Sequence, residues 1–297
     1  MPSGILLLDK PHGLSSNAAL QRVRRLLGGV KAGHAGSLDP LATGMLPICI
    51  GEATKIVGDI VAGAKRYRFT VTLGRRTASG DAEGEVTATA AVPAVTRAAV
   101  AAVLRGFLGP QTQVPPMYSA IKQGGAPLYR LARAGRTVER APRAIEIHAL
   151  ELLELADESL ELEARCSKGT YIRVLAEDIA ARLGTLGFVS ALRRLSVEPF
   201  GDEPMRTLES LEEECARGGQ LSLLPADLPL QHLAKVALPE VSVARLLKGQ
   251  AVAGGPQTVA ADGTARVRLY DAAGCFLGVG IADGSGTVRP KRLLNPD

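Results

Sequence analysis

Apolar positions in this chain follow two rhythms, and the change from one to the other marks its elements. Ile5 to Leu8 is an unbroken apolar run ended by Asp9, Lys10 and Pro11, which predicts a short buried strand leading into a loop. Leu20, Val23 and Leu27 then recur at helical spacing behind Ser16, a residue able to cap that helix, and Gly28 stops it. Glu52 to Val61 reads as another helix, with Ile56, Val57, Ile60 and Val61 turned inward. At KRYRFTVTLG the period drops to two. Tyr67, Phe69, Val71 and Leu73 share one strand face, and Arg66, Arg68, Thr70 and Thr72 share the other.

Residues 77–92 are small and polar, as in a hairpin or loop, and Thr96 is placed to cap a helix whose stripe is Val100, Val103, Leu104 and Phe107. Ile145 to Leu155 and Leu160 to Cys166 read as strands. Thr170 then stands where it can cap a helix with Ile172, Leu175, Ala176, Ile179 and Leu183 inward and Gly184 at its end. Arg173 falls in the first turn, where a cation opposes the helix macrodipole by about 0.3–1 kcal/mol. A compensating anion is therefore expected, and Glu177, one turn on, is the local candidate.

After Thr207 come a short acidic helix and the proline-rich run SLLPADLPLQHLAKVALPE, which marks a boundary. From about residue 236 onward, Gly-rich turns separate short strands such as ARVRLYD and CFLGVGIAD, the pattern of a small β-barrel. The reading is thus an α+β chain with a larger domain over 1–235 and a smaller one over 236–297.

Charge and cysteines narrow the function classes. Across 297 residues, 35 Lys and Arg stand against 30 Asp and Glu, a balance that favours a polyanionic partner. The four cysteines are too scattered for a zinc motif or a disulfide framework, so a reducing cytoplasm and no metal are expected. The N-terminal apolar run is too short for a signal peptide core or a membrane span. Gln111 to Arg143 is rich in Pro, Gly, Tyr and Arg, and carries Arg130, Arg133, Arg136, Arg140 and Arg143. That composition suits a mobile basic arm laid on phosphates, or a plain surface insertion.

The stretch with most chemistry is GHAGSLDPLATGMLPICIGEATK, from Gly33 to Lys55. Gly33 and Gly36 free the backbone, and Pro40 pushes Asp39 toward extended geometry on a shaped, partly exposed loop. Asp followed by Pro is equally a helix start, with Asp39 as N-cap.

The whole string resembles the GHxGxLDPxATG signature of the TruB family of RNA pseudouridine synthases. DKPHGLSS, KRYR and SKGTYIRVLAEDIAARLG match further family motifs, and the resemblance covers most of residues 1–200. It implies the pseudouridine synthase fold, a mixed and largely antiparallel sheet flanked by helices and loops, followed by a PUA-like RNA-binding domain. It implies isomerisation of the tRNA T-loop uridine conventionally numbered 55, by a monomer, without guide RNA or cofactor.

Asp39 is then the nucleophile, Arg173 its ion-pair partner, and Tyr67 the residue against the target base. Tyr171 and Leu192 complete the pocket, and His34 enters the T loop to fill the space of displaced bases. The arm over 111–143 becomes a thumb closing on RNA, with Lys10 and the five arginines as weaker contacts. Ala35 stands where the family usually has Thr or Ser, so any hydroxyl contact there is absent. A retaining glycoside or nucleoside hydrolase would instead pair Asp39 with a second carboxylate at about 5 Å, and none lies in these motifs. The same residues also leave room for a guide-RNA-dependent synthase, and for an RNA-binding or chaperone protein without chemistry.

Overall fold

The computed structural model describes residues 3–255 and 260–294. Its larger unit is built on an eight-stranded sheet, and the first strand shows why the chain opens with an unbroken apolar run. β1 (Gly4–Lys10) is covered on both faces. Leu6 and Leu8 pack with α1 (Ser16–Leu26), while Ile5 and Leu7 join a second cluster that reaches toward the C-terminal unit. Ser15, one residue before the expected cap, closes the start of α1 by accepting from Ala18 N at 3.1 Å. β2 (Ala32–His34) and β3 (Thr43–Ile50) follow, with β3 antiparallel to both β1 and β2. The next apolar pattern divides into a 3-10 turn over Gly51–Ile56 and α2 (Val57–Ala62).

β4 (Lys65–Leu73) shows the expected alternation, with Phe69, Val71 and Leu73 buried and Arg68 exposed. β5 (Arg75–Thr77) and β6 (Val86–Thr89) form the hairpin, and α3 (Arg97–Arg105), capped by Thr96, leads to the edge strand β7 (Gly109–Gln113). The arm beyond it holds a small hairpin, β8 (Lys122–Gln123) and β9 (Ala126–Pro127), then α4 (Leu128–Arg133). Gly124 and Gly125 close that hairpin with positive φ, as its two-residue turn requires.

β10 (Arg143–Ala156), β11 (Ser159–Cys166), α5 (Ile172–Arg182) and β12 (Gly187–Val197) complete the unit. The strand order is β1-β3-β12-β4-β11-β10-β7, with β2 beside β3. Every pairing in this sheet is antiparallel except one. Arg193 and Arg194 of β12 run parallel to Thr43 and Gly44 of β3. Helices α3 and α5 cover Phe69, Val71, Leu160 and Leu162 on one side of that junction, while α1 and α6 (Leu208–Ala216) cover Leu8, Ile48 and Ile50 on the other. The junction is thereby a rigid base for the loops around it.

The C-terminal unit is a PUA-like five-stranded sheet of order β13-β15-β16-β17-β14. Its strands are β13 (Ala234–Ala237), β14 (Val252–Ala253), β15 (Thr264–Tyr270), β16 (Phe276–Asp283) and β17 (Thr287–Leu293). A helix, α7 (Glu240–Leu247), interrupts what the sequence offered as strands alone. β13 also straddles the boundary expected between 235 and 236. The unit is docked on α2 and the 3-10 turn before it: Arg266 pairs with Asp59 at 2.6 Å, and Lys55 Nζ donates to Leu293 O at 2.8 Å. Among the described residues, no helix is long and apolar enough to cross a membrane.

Candidate active site

Asp39 lies in the loop between β2 and β3, and the turn there is not a helix start. Ala42 N donates to Asp39 O at 3.0 Å, closing a turn through Pro40, and the chain then enters β3. Backbone freedom is used at Gly36 (φ +91°) and Gly44 (φ +97°), whereas Gly33 sits in β2 without positive φ. Ser16 does not cap α1; its hydroxyl donates to Leu38 O at 2.9 Å and accepts from Leu38 N at 2.7 Å, pinning the residue before Asp39. Lys10 corrects another expectation. Its side chain is fully buried, and Nζ donates to the carbonyls of Pro11, Leu14 and Pro40, so it braces the loop from inside and offers no surface to phosphate. Burial pushes its pKa down to about 8.

Arg173 reaches the same loop from α5. Tyr171 holds the N-cap position, and Thr170 instead donates its hydroxyl to Ser167 O. The Arg173 side chain is 5% exposed, and Nε lies 3.0 Å from Asp39 Oδ2 and 3.6 Å from Asp81 Oδ2. Nη1 donates to Ser79 O and Nη2 to Tyr118 O, each at 2.6 Å. The anion that answers the helix macrodipole therefore comes from distant chain segments, not from Glu177.

Asp81 is the residue that sequence reasoning missed. It is buried in the polar stretch before β6, where it accepts from Ser79 Oγ at 2.5 Å and Glu83 N at 3.1 Å. Nothing in the string SGDAEG distinguishes it from a turn aspartate. Burial pushes the Asp39 carboxyl above its ordinary value; Arg173 and Lys10 oppose that, and Asp81 adds to it.

A cavity of about 240 Å³ opens against this ion pair and is lined by Asp39, Tyr67, Tyr171, Arg173, Leu192 and Arg194. Five of these six are the residues expected around the target base. The sixth, Arg194, was legible in principle, because it shares the face of β12 that Leu192 presents, two residues on. Burial raises the phenol pKa of both Tyr67 and Tyr171. Gln113, at the root of the arm, brackets the Tyr171 backbone, accepting from its N at 2.8 Å and donating to its O at 3.1 Å. Asp81 does not line the cavity, and among the described residues Asp39 is the one carboxylate in its lining, where a hydrolase would need two.

His34 ends β2 just outside the cavity lining. Its Nδ1 is buried without a partner, and burial, with Arg194 nearby, holds the imidazole below its ordinary pKa. In the arm, Arg130, Arg133, Arg136 and Arg143 are exposed, while Arg140 is half-buried. Among the described residues none of the five enters an ion pair; Arg133 lies 5.8 Å from the centre of the Tyr129 ring.

Comparison with known proteins covers nearly the whole chain. Residues 24–172 match the model of the TruB family pseudouridylate synthase N-terminal domain. Residues 173–233 match the tRNA pseudouridylate synthase B C-terminal domain, and 234–294 the C-terminal model of pseudouridine synthase II TruB. The tRNA pseudouridine synthase B of Chromohalobacter salexigens is 49% identical over 98% of this chain and 94% of its own. The enzyme of the same name from Pseudomonas putida is 48% identical over 99% and 96%.

Among solved structures, a chain of a Cbf5-Nop10-Gar1 complex aligns with TM-score 0.70 at 23% identity, over 99% of this chain and 84% of that one. A chain of an H/ACA RNP bound to a substrate RNA containing 2'-deoxyuridine gives 0.72 at 22%, over 99% and 85%. These two likenesses concern the fold. With three family models in succession and relatives near half identity over full length, the chain belongs to the TruB family of pseudouridylate synthases.

Proposed function

We propose that this protein converts the T-loop uridine at position 55 of tRNA to pseudouridine, as a cytoplasmic monomer that needs no guide RNA and no cofactor. The observation that carries the reading is the Arg173 Nε to Asp39 Oδ2 contact of 3.0 Å at the wall of a cavity that also presents Tyr67 and Leu192. Arg173 keeps the carboxylate ionised and oriented while engaging one oxygen, which leaves Oδ1 for attack. Asp39 attacks C1′ of the flipped nucleotide as the bond to N1 breaks, and uracil leaves with the electron pair. The base turns between Tyr67 and Leu192, C5 displaces the carboxylate at C1′, C5 loses a proton, and N1 gains one. The bound RNA, with Leu192 and Ile172 of the cavity wall, keeps water from the sugar during the turn.

His34, uncharged near neutrality because its imidazole is held below the ordinary value, fills the space of displaced bases in the loop. The arm arginines, free of ion pairs among the described residues, bind phosphates. Relatives named tRNA pseudouridine synthase B share 45–49% identity with this chain, against 22–23% for the chains of H/ACA and Cbf5 complexes, and this favours the reading without guide RNA. The test is to map pseudouridine in tRNA incubated with the pure protein alone. A modified T-loop uridine is expected. Free uracil would point to hydrolysis, and modification only with added guide RNA to the guided class.

A further inference from the structure

Arg194 is the largest of the fully buried side chains, at 1% exposure, and among the described residues no carboxylate lies within ion-pair distance of it. Burying a cation without a counter-ion is costly, and a neutral amide could supply donors to carbonyls in its place. The guanidinium nevertheless has a built seat. Nε donates to Met45 O at 2.7 Å and Nη2 to Gly36 O at 3.0 Å. A Cβ on Gly44 would stand 2.2 Å from Arg194 O, and one on Gly36 would stand 3.5 Å from Nη1. Gly44 thus lets β3 approach the Arg194 backbone, while the distance at Gly36 is ordinary van der Waals contact. Arg194 and Tyr67 are cross-strand partners in the β12–β4 ladder, both line the cavity, and the Arg194 charge acts on the phenol.

We propose that Arg194 is a positioning residue for Tyr67, holding the phenol oxygen at the cavity and stabilising it as an anion while it takes the proton from uracil C5. The proposal rests on the pseudouridine synthase reading above. Once C5 has bonded to C1′, the C5–H bond breaks, its electron pair returns to the ring, and the proton passes to the Tyr67 phenolate. The phenol returns a proton to solvent after product leaves, and N1 takes one up, so the base neither gains nor loses hydrogen. The groups facing Tyr67 are Arg194 from β12, Cys166 from β11, Asp39 from its loop and Lys65 from its own strand, with Lys168, Tyr171 and Arg173 across the cavity. Burial raises the phenol, Arg194 is the chief group opposing that, and Cys166 and Asp39 add to the rise.

The chain has no Trp and five Tyr, so tyrosinate absorbance can be titrated directly and Tyr67 isolated by difference from Tyr67→Phe. In Arg194→Gln, Tyr67 is expected to titrate about one pH unit higher, with a smaller shift in Arg194→Lys. On a T stem-loop, Arg194→Gln should lose roughly tenfold in single-turnover rate near neutrality and recover as pH rises, with RNA affinity unchanged and Lys retaining most of the rate. An unmoved Tyr67 titration, or a loss equal at every pH and equal for Gln and Lys, would overturn the proposal. Should Arg194→Gln not fold, 3-fluorotyrosine at position 67 beside the native Arg194 serves instead. Its more acidic phenol should move the rate profile to lower pH, and a fixed profile would count against the pair. Wild-type protein that makes no pseudouridine would refute the activity, while the absorbance titration would still decide whether Arg194 stabilises the Tyr67 anion.

Discussion

Arg173 and the arginines between 130 and 143 carry the same side chain into opposite settings. Arg173 is buried, fixed by two carboxylates and two carbonyls, and reaches the cavity from the first turn of a helix packed on the sheet. Four of the five arm arginines are exposed, and none of the five has an ion pair among the described residues. A buried, satisfied guanidinium has one geometry, which suits a group that must orient a carboxylate to a fraction of an ångström. An exposed one adapts, which suits contact with a backbone whose shape is set by the RNA. On the proposed function, the molecule separates chemistry from capture, and each region is expected to break without the other.

The largest effect is expected at Asp39. Asp39→Asn should abolish pseudouridine formation while leaving RNA affinity within about tenfold, since phosphates dominate binding. Binding assays beside end-point product analysis check it, and turnover in clean mutant protein would remove the nucleophile assignment. Arg173→Met comes next, because it strikes both rate and fold. It leaves Asp81 buried with no cation, and denaturant unfolding should show a loss of about 3 kcal/mol in stability together with little or no product. Unchanged stability would mean that Arg173 does not hold Asp81 in the folded protein.

A smaller, substrate-dependent effect is expected at His34. His34→Ala should lose roughly tenfold more activity on a folded T stem-loop than on an unstructured strand with the same bases, since the latter has already met part of the unstacking cost of a few kcal/mol. His34→Phe should recover part of the difference by filling the same space. Equal losses on both RNAs without rescue would contradict the space-filling role of His34.

The two regions also differ in how far the sequence exposed them. The strand carrying Tyr67 announced itself by alternation, and the helix carrying Arg173 by its apolar face, because both signals are local. What holds the site together is not local. Asp39, Asp81 and Arg173 meet only once α5 and the turn before β6 pack on the sheet, so the aspartate in SGDAEG carried no mark of its role. Lys10 was expected as a weaker RNA contact because the family resemblance implied it. It is buried because three carbonyls converge on its Nζ, a tertiary arrangement with no signature at the residue itself. Ser16 and Thr170 were placed as caps and serve as braces, since helix ends shift by one residue when a hydroxyl has a better partner elsewhere. The arm was legible from composition alone, because exposure and charge are what composition reports.

The separation of chemistry from capture is tested most directly by replacing Arg130, Arg133, Arg136, Arg140 and Arg143 together with Ala. The measurement is the single-turnover rate at saturating protein, set beside affinity across a salt series. The account expects a flatter plot of log affinity against log salt, losing about 0.7–0.9 in slope for each phosphate contact removed, and a saturated rate within about threefold of wild type. A saturated rate that falls as far as the affinity, or a salt slope that does not change, would contradict it.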